Sequence, residues 1–78
     1  MDDITLLELF SWSEAEFLKR TEGSPIRRIG YECWLRNIAV ALGNSPKNEK
    51  TISALQGRQQ HASPLVREHV LWALSQQQ

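Results

Sequence analysis

Cysteine is almost missing from this sequence. The 78 residues hold one, Cys33, so no disulfide can close within the chain and no cysteine-based zinc or iron–sulfur site can be built. A lone thiol in an apolar run suits a reducing compartment, and a cytoplasmic location is expected. Histidine is scarce too: His61 and His69 have no acidic partner at ligand spacing. No apolar run approaches the roughly 18 residues that span a bilayer. Met1 is followed by Asp2-Asp3 rather than by the basic start and apolar stretch of a secretory signal. Gly-rich phosphate loops, CxxC, HExxH and a recognisable Ser/His/Asp set are all missing. These absences argue against an autonomous enzyme and leave a metal or haem without ligands in this chain.

Alternation of period two is also lacking, so no sheet is expected. Helix signals fill the chain instead. All three prolines follow serine, at Ser24-Pro25, Ser45-Pro46 and Ser63-Pro64. A serine hydroxyl can accept a bond from an orphan backbone N–H, and proline at the first helical position gives up an N–H not needed there. Each pair therefore reads as a helix start. Ser13-Glu14-Ala15-Glu16 reads as a capping box, and Gly23 and Gly43-Asn44 as helix stops. Five helices follow, at about 3–10, 13–22, 24–43, 47–59 and 63–76, in one domain spanning 1–78. The short connections predict antiparallel neighbours. Val40-Ala41-Leu42 and Trp72-Ala73-Leu74 both close a helix opened by Ser-Pro, a faint repeat that suggests an all-α, HEAT-like α-solenoid fragment.

The zero net charge hides an asymmetry. Residues 1–16 carry five acidic groups and no Lys or Arg, whereas 17–78 carry all nine basic groups against four glutamates. Such a split can mark an anionic partner, or simply reflect acidic residues at helix starts. The predicted helix 24–43 is apolar around most of its circumference, which makes it the central helix, with Trp34 and Ile38 buried. Its polar stripe, Arg28, Glu32 and Arg36, has the spacing of an exposed salt-bridge ladder. Arg27 is expected to lay its stem on Trp34, and Asn37 to project near Gly30 and satisfy backbone groups of a neighbouring turn. Cys33 reads as a small core residue, Gly30 as a close approach of another helix, and His61 as solvated. The last helix has two apolar faces, one with Leu65, His69 and Trp72, the other with Val66, Val70, Ala73 and Leu74. One small domain can bury only one of them well.

The runs LFSWSEAEFLKRTEGSPIRRIGYECWLRNIAVALGN and SPLVREHVLWAL together resemble the C-terminal region of epoxyqueuosine reductases over about residues 5–76. The most specific parts are Trp12-Ser13-Glu14, Thr21-Glu22-Gly23-Ser24, Arg27-Arg28-Ile29-Gly30 and Trp34-Leu35-Arg36-Asn37. The resemblance implies a part of the enzyme that reduces the epoxide of epoxyqueuosine in tRNA. It also implies that cobalamin and two four-iron clusters belong to a catalytic part, with no cofactor in this chain. The family's C-terminal region is HEAT-like and helps hold tRNA. By resemblance, then, Arg27, Arg28, Arg36 and Asn37 are candidate tRNA contacts, with Lys19, Arg20 and Arg67 as looser ones. One departure stands out: the pattern GYxRWLRN has Arg where this chain has Cys33. The expected partners are tRNA and the catalytic domain, with no membrane and a monomeric state. A structural module that packs on the catalytic domain without touching RNA is the alternative. The closing Gln76-Gln77-Gln78 carries no motif.

Overall fold

Capping chemistry sets most of the element boundaries. The Ser13 Oγ accepts the Glu16 N–H at 3.2 Å, starting α2 (Glu14–Arg20) after α1 (Asp3–Phe10). Only half of a capping box forms, because the Glu16 carboxylate turns forward to Arg20 at 3.0 Å. The Ser63 Oγ accepts from Val66 and opens α5 (Pro64–Gln76). Ser45-Pro46 does not open a helix: the Ser45 hydroxyl donates back to the Leu42 carbonyl at 2.7 Å. Asn48 takes over instead, its Oδ1 accepting the Lys50 N–H at 2.7 Å to start α4 (Glu49–Gly57). The computed structural model describes residues 3–77. Among them are five α-helices, one 3₁₀ turn and no strand.

The predicted central helix is two elements. Ser24-Pro25 opens a 3₁₀ turn, Pro25–Ile29, and α3 (Gly30–Gly43) starts afresh at Gly30. Gly30 has φ +83° and ψ 160°, which lies in backbone territory open essentially to glycine alone. A Cβ there would meet nothing within 4 Å, so backbone conformation and not a neighbouring helix explains this glycine. Gly43 reverses the expectation. It lies inside α3 without a positive φ, and a Cβ would come within 2.6 Å of the Trp72 ring and 3.0 Å of the Ala73 Cα. The helix stop falls on Asn44, whose side chain donates to the Val40 carbonyl.

That close approach is the seam of the fold, since α3 packs most extensively on α5. Leu35, Ile38, Ala39 and Leu42 of α3 face Val66, Val70 and Ala73 of α5, with Phe10 and Leu55 completing the core. A fully buried side chain of Leu or Phe size contributes roughly 1.5–3 kcal/mol by leaving water. α4 does not flank α3 as expected; it packs chiefly on α5 and α1. Phe17 of α2 is fully buried and lies against the rings of Tyr31 and Trp34. The resulting slab measures 37 × 27 × 16 Å.

Three polar side chains join elements distant in sequence. The Arg58 guanidinium donates to the carbonyls of Phe10, the last residue of α1, and of Trp12 beyond it, and the Tyr31 hydroxyl donates to the Trp12 carbonyl as well. Gln77, within the tail that reads as motif-free, is buried. Its Nε2 donates to the Leu42 and Ser45 carbonyls at 2.9 Å each, and its Oε1 accepts the Asn48 N–H at 3.1 Å. His61 is half-buried rather than solvated, and its Nδ1 accepts the Ser63 N–H.

Candidate nucleic-acid interface

Arg27 and Arg28 occupy the 3₁₀ turn between the exposed Ile26 and Ile29, and both arginines are exposed. Neither has a carboxylate partner among the described residues. The one ion pair found there joins Glu16 to Arg20. The Arg28–Glu32–Arg36 ladder does not form. The break at Gly30 removes Arg28 from the axis of Glu32 and Arg36, and within α3 the Arg36 guanidinium turns to the Asn37 amide rather than to Glu32. The same break explains Arg27, which is exposed instead of lying on Trp34.

The aromatic cluster is built differently. Trp34 stacks on Trp12 with ring centres 5.5 Å apart and planes 14° apart, and the cation over Trp12 is Arg20, at 5.2 Å. The Trp34 Nε1 donates to the Leu9 carbonyl. Trp34 remains half-buried, although Ile38 is buried as expected.

On α3, Cys33, Arg36, Asn37 and Val40 follow the i, i+3, i+4, i+7 spacing of one helix face, opposite the core residues Leu35, Ala39 and Leu42. None of the four is buried. Cys33 is therefore a half-exposed residue of the outward face rather than a core residue. Arg36 is half-buried, and its Nε and terminal nitrogen both donate to the Asn37 Oδ1, at 3.2 and 3.0 Å. Asn37 thus orients a guanidinium instead of satisfying backbone groups of a neighbouring turn. A neutral amide leaves the cation its full charge, which a carboxylate would have offset.

The looser candidates sit elsewhere. Lys19 is exposed on α2, and Arg20 is engaged by Glu16 and Trp12. Arg67 donates to the His61 and Ala62 carbonyls, at 2.8 and 3.2 Å, and so braces the loop before α5. The structure therefore associates Arg36 with Asn37 and leaves Arg27 and Arg28 exposed side by side on the 3₁₀ turn, while giving Arg20 and Arg67 local structural work.

Two depressions border the outward face of α3. One, of about 430 Å³, is a groove whose wall includes the apolar Leu6, Leu9, Ile26, Ile29 and Trp34 and one polar residue, Asn37. The other, of about 270 Å³, is lined by Val40, Glu68, His69 and Trp72. Trp72 is 39 % exposed, on the α5 face that the sequence leaves without an obvious partner. Sequence reasoning did not anticipate that Val40 and Trp72 share a cleft; their matching places in the faint repeat were the available signal. Among the described residues, no group of three or more His, Cys, Asp or Glu could hold a metal ion, and no helix is long and apolar enough to cross a membrane.

No protein-family model and no solved structure matches the chain. Curated sequences do. An epoxyqueuosine reductase of Xanthomonas campestris pv. campestris is 63 % identical over 76 residues, covering 97 % of this chain and 21 % of that protein. Those of Pseudomonas aeruginosa and Escherichia coli strain K12 are 61 % identical over 74 residues and 60 % over 73. They cover 95 % and 92 % of this chain, and 20 % and 19 % of the respective relatives. This chain is homologous to a segment, about a fifth of the length, of epoxyqueuosine reductases.

Proposed function

We propose that the chain is a non-catalytic, tRNA-binding segment from the C-terminal region of an epoxyqueuosine reductase. It would hold tRNA for a catalytic centre carried by the rest of that protein. Identity near 60 % to reductases over almost the whole chain supports the assignment to that protein. The observation that carries the RNA reading is the state of the arginines. Arg27 and Arg28 are exposed without an acidic partner among the described residues, and Arg36 is oriented on an outward face by a neutral amide. Cations in that state neutralise phosphates and release counterions. The all-helical architecture is compatible with a HEAT-like array. A single cysteine does not fit the thiolate sets of the two four-iron clusters implied by the resemblance, so those clusters would belong to the rest of the protein, where the resemblance puts cobalamin as well.

A second reading has its own support. The groove between α1, the 3₁₀ turn and α3 is walled almost entirely by apolar side chains, which favours contact with the remainder of the reductase. A salt titration of tRNA binding separates the two. The parent chain should bind weakly, with affinity falling as salt rises. Replacing Arg27, Arg28 and Arg36 together by Gln should lower both the affinity and the salt slope, the slope by about 0.7–0.9 for each phosphate no longer neutralised. Equal binding by parent and variant would exclude these arginines as the RNA surface. Absence of binding by the parent would leave the second reading.

A further inference from the structure

We propose that the cleft between α3 and α5 is a seat for one unpaired nucleobase, with the Trp72 ring as its stacking platform. The inference rests on the RNA reading above and adds where, and to which kind of nucleotide, the chain would bind. Trp72 is exposed but not loose. Gly43 exists within α3 at the point where any Cβ would strike the Trp72 ring, at 2.6 Å. The indole is thus seated against the neighbouring helix on one side while 39 % of the residue stays open to solvent. A ring held in this way stacks a base at little further entropic cost.

The rest of the cleft supplies hydrogen-bond acceptors. Glu68 contributes a carboxylate. The His69 Nδ1 lies 2.9 Å from the Leu65 carbonyl. A carbonyl can only accept, so Nδ1 carries the hydrogen and Nε2 of the neutral ring is an acceptor. Acceptors select a base edge with an exocyclic amine, as carboxylates do with cytosine N4. Uracil has no such amine. Val40, the fourth wall residue, lies one helical turn beyond Arg36 on the outward face of α3. The cation is therefore placed to meet the phosphate backbone of a strand whose base enters the cleft. That charge complementarity favours a single-stranded RNA segment over an apolar protein surface as the occupant.

Binding of short oligocytidylate, short oligouridylate and a blunt RNA duplex by the full 78-residue chain tests the proposal. Trp72→Leu should weaken oligocytidylate binding about tenfold and leave duplex binding unchanged, since a duplex offers no free base. Glu68→Gln should narrow the preference for oligocytidylate over oligouridylate. Should Trp72→Leu lose its helical signal, Trp72→Phe, which keeps a ring, should retain most of the binding, and Glu68→Gln decides. An unchanged cytidylate-to-uridylate ratio in Glu68→Gln, or parent-like oligonucleotide binding by folded Trp72→Leu, overturns the proposal. In either case salt-dependent tRNA binding by the parent would leave the RNA reading intact. A parent chain that binds no RNA at all would remove both. If Trp72→Leu weakens only association with the remainder of the reductase, the cleft is a protein contact and the proposal falls.

Discussion

Arg58, the residue that ends α4, donates to the carbonyl of Trp12, 46 positions earlier, at 2.9 Å. The same terminal nitrogen reaches the Phe10 carbonyl at 3.0 Å, so one guanidinium closes the turn between α1 and α2. Arg58→Met should cost about 1–3 kcal/mol, because the part-buried carbonyls lose charged donors. Arg58→Lys should recover only part of that loss, since an ammonium lacks the planar fork. Urea unfolding followed by circular dichroism reads both.

Tyr31 shares that turn and gives it a pH dependence. Burial pushes the phenol above its ordinary pKa of 10.0, with the Arg58 guanidinium opposing part of the rise. A raised folded-state pKa means that the unfolded chain ionises first. The contribution of Tyr31 to stability is fully present below pH 10.0 and is lost as pH climbs through the folded value. Urea midpoints taken between about pH 8 and pH 11 should fall at the alkaline end, and less steeply in Tyr31→Phe.

Two glycines in α3 should fail for opposite reasons. Gly30→Ala meets no neighbour but forces a side chain into the φ +83° conformation, at a cost of about 1–3 kcal/mol. Gly43→Ala has an ordinary helical backbone, and alanine favours a helix by about 1 kcal/mol. Its methyl nevertheless collides with Trp72 and the Ala73 backbone, and overpacking of about 1–3 kcal/mol should leave a net loss. The discriminating measurement is Gly43→Ala combined with Trp72→Ala. Removing the indole should relieve part of the Gly43→Ala penalty and none of the Gly30→Ala penalty.

Gln77 holds three backbone groups, from Leu42, Ser45 and Asn48. Gln77→Ala should therefore destabilise by about 2–3 kcal/mol, near 1 kcal/mol for each hydrogen bond removed. Gln76→Ala, at an exposed position, should change little. Thermal melts of the two variants side by side provide the check.

Helix content and most boundaries were legible, because Ser13, Ser24 and Ser63 act through local capping chemistry. Periodicity separated the two apolar faces of α5 without deciding between them, and the structure buries the one with Val66, Val70 and Ala73. On α3 apolar residues run around most of the circumference, so periodicity alone could not tell Leu35 and Leu42, which are buried, from Cys33, which is not. Gly30 carries no local mark distinguishing a positive φ from close packing, so the wheel drawn through 24–43 misplaced Arg27 and Arg28. Arg58 and Gln77 were opaque for another reason: their partners lie 46 and 35 positions away, and no spacing rule links a side chain to a distant carbonyl. At the candidate interface, the residue types were readable and their company was not. Asn37 became informative only once its amide was found on Arg36.

The break at Gly30 also gives the basic residues a geometry that a continuous rod could not. Arg27 and Arg28 ride on one short axis and Arg36 on another, and a single peptide joint sets the angle between them. The distance between the two cationic groups is thereby a torsional quantity, adjustable by a residue that carries no charge itself. A substitution at position 30 would re-aim the arginines without altering the composition or net charge of the surface.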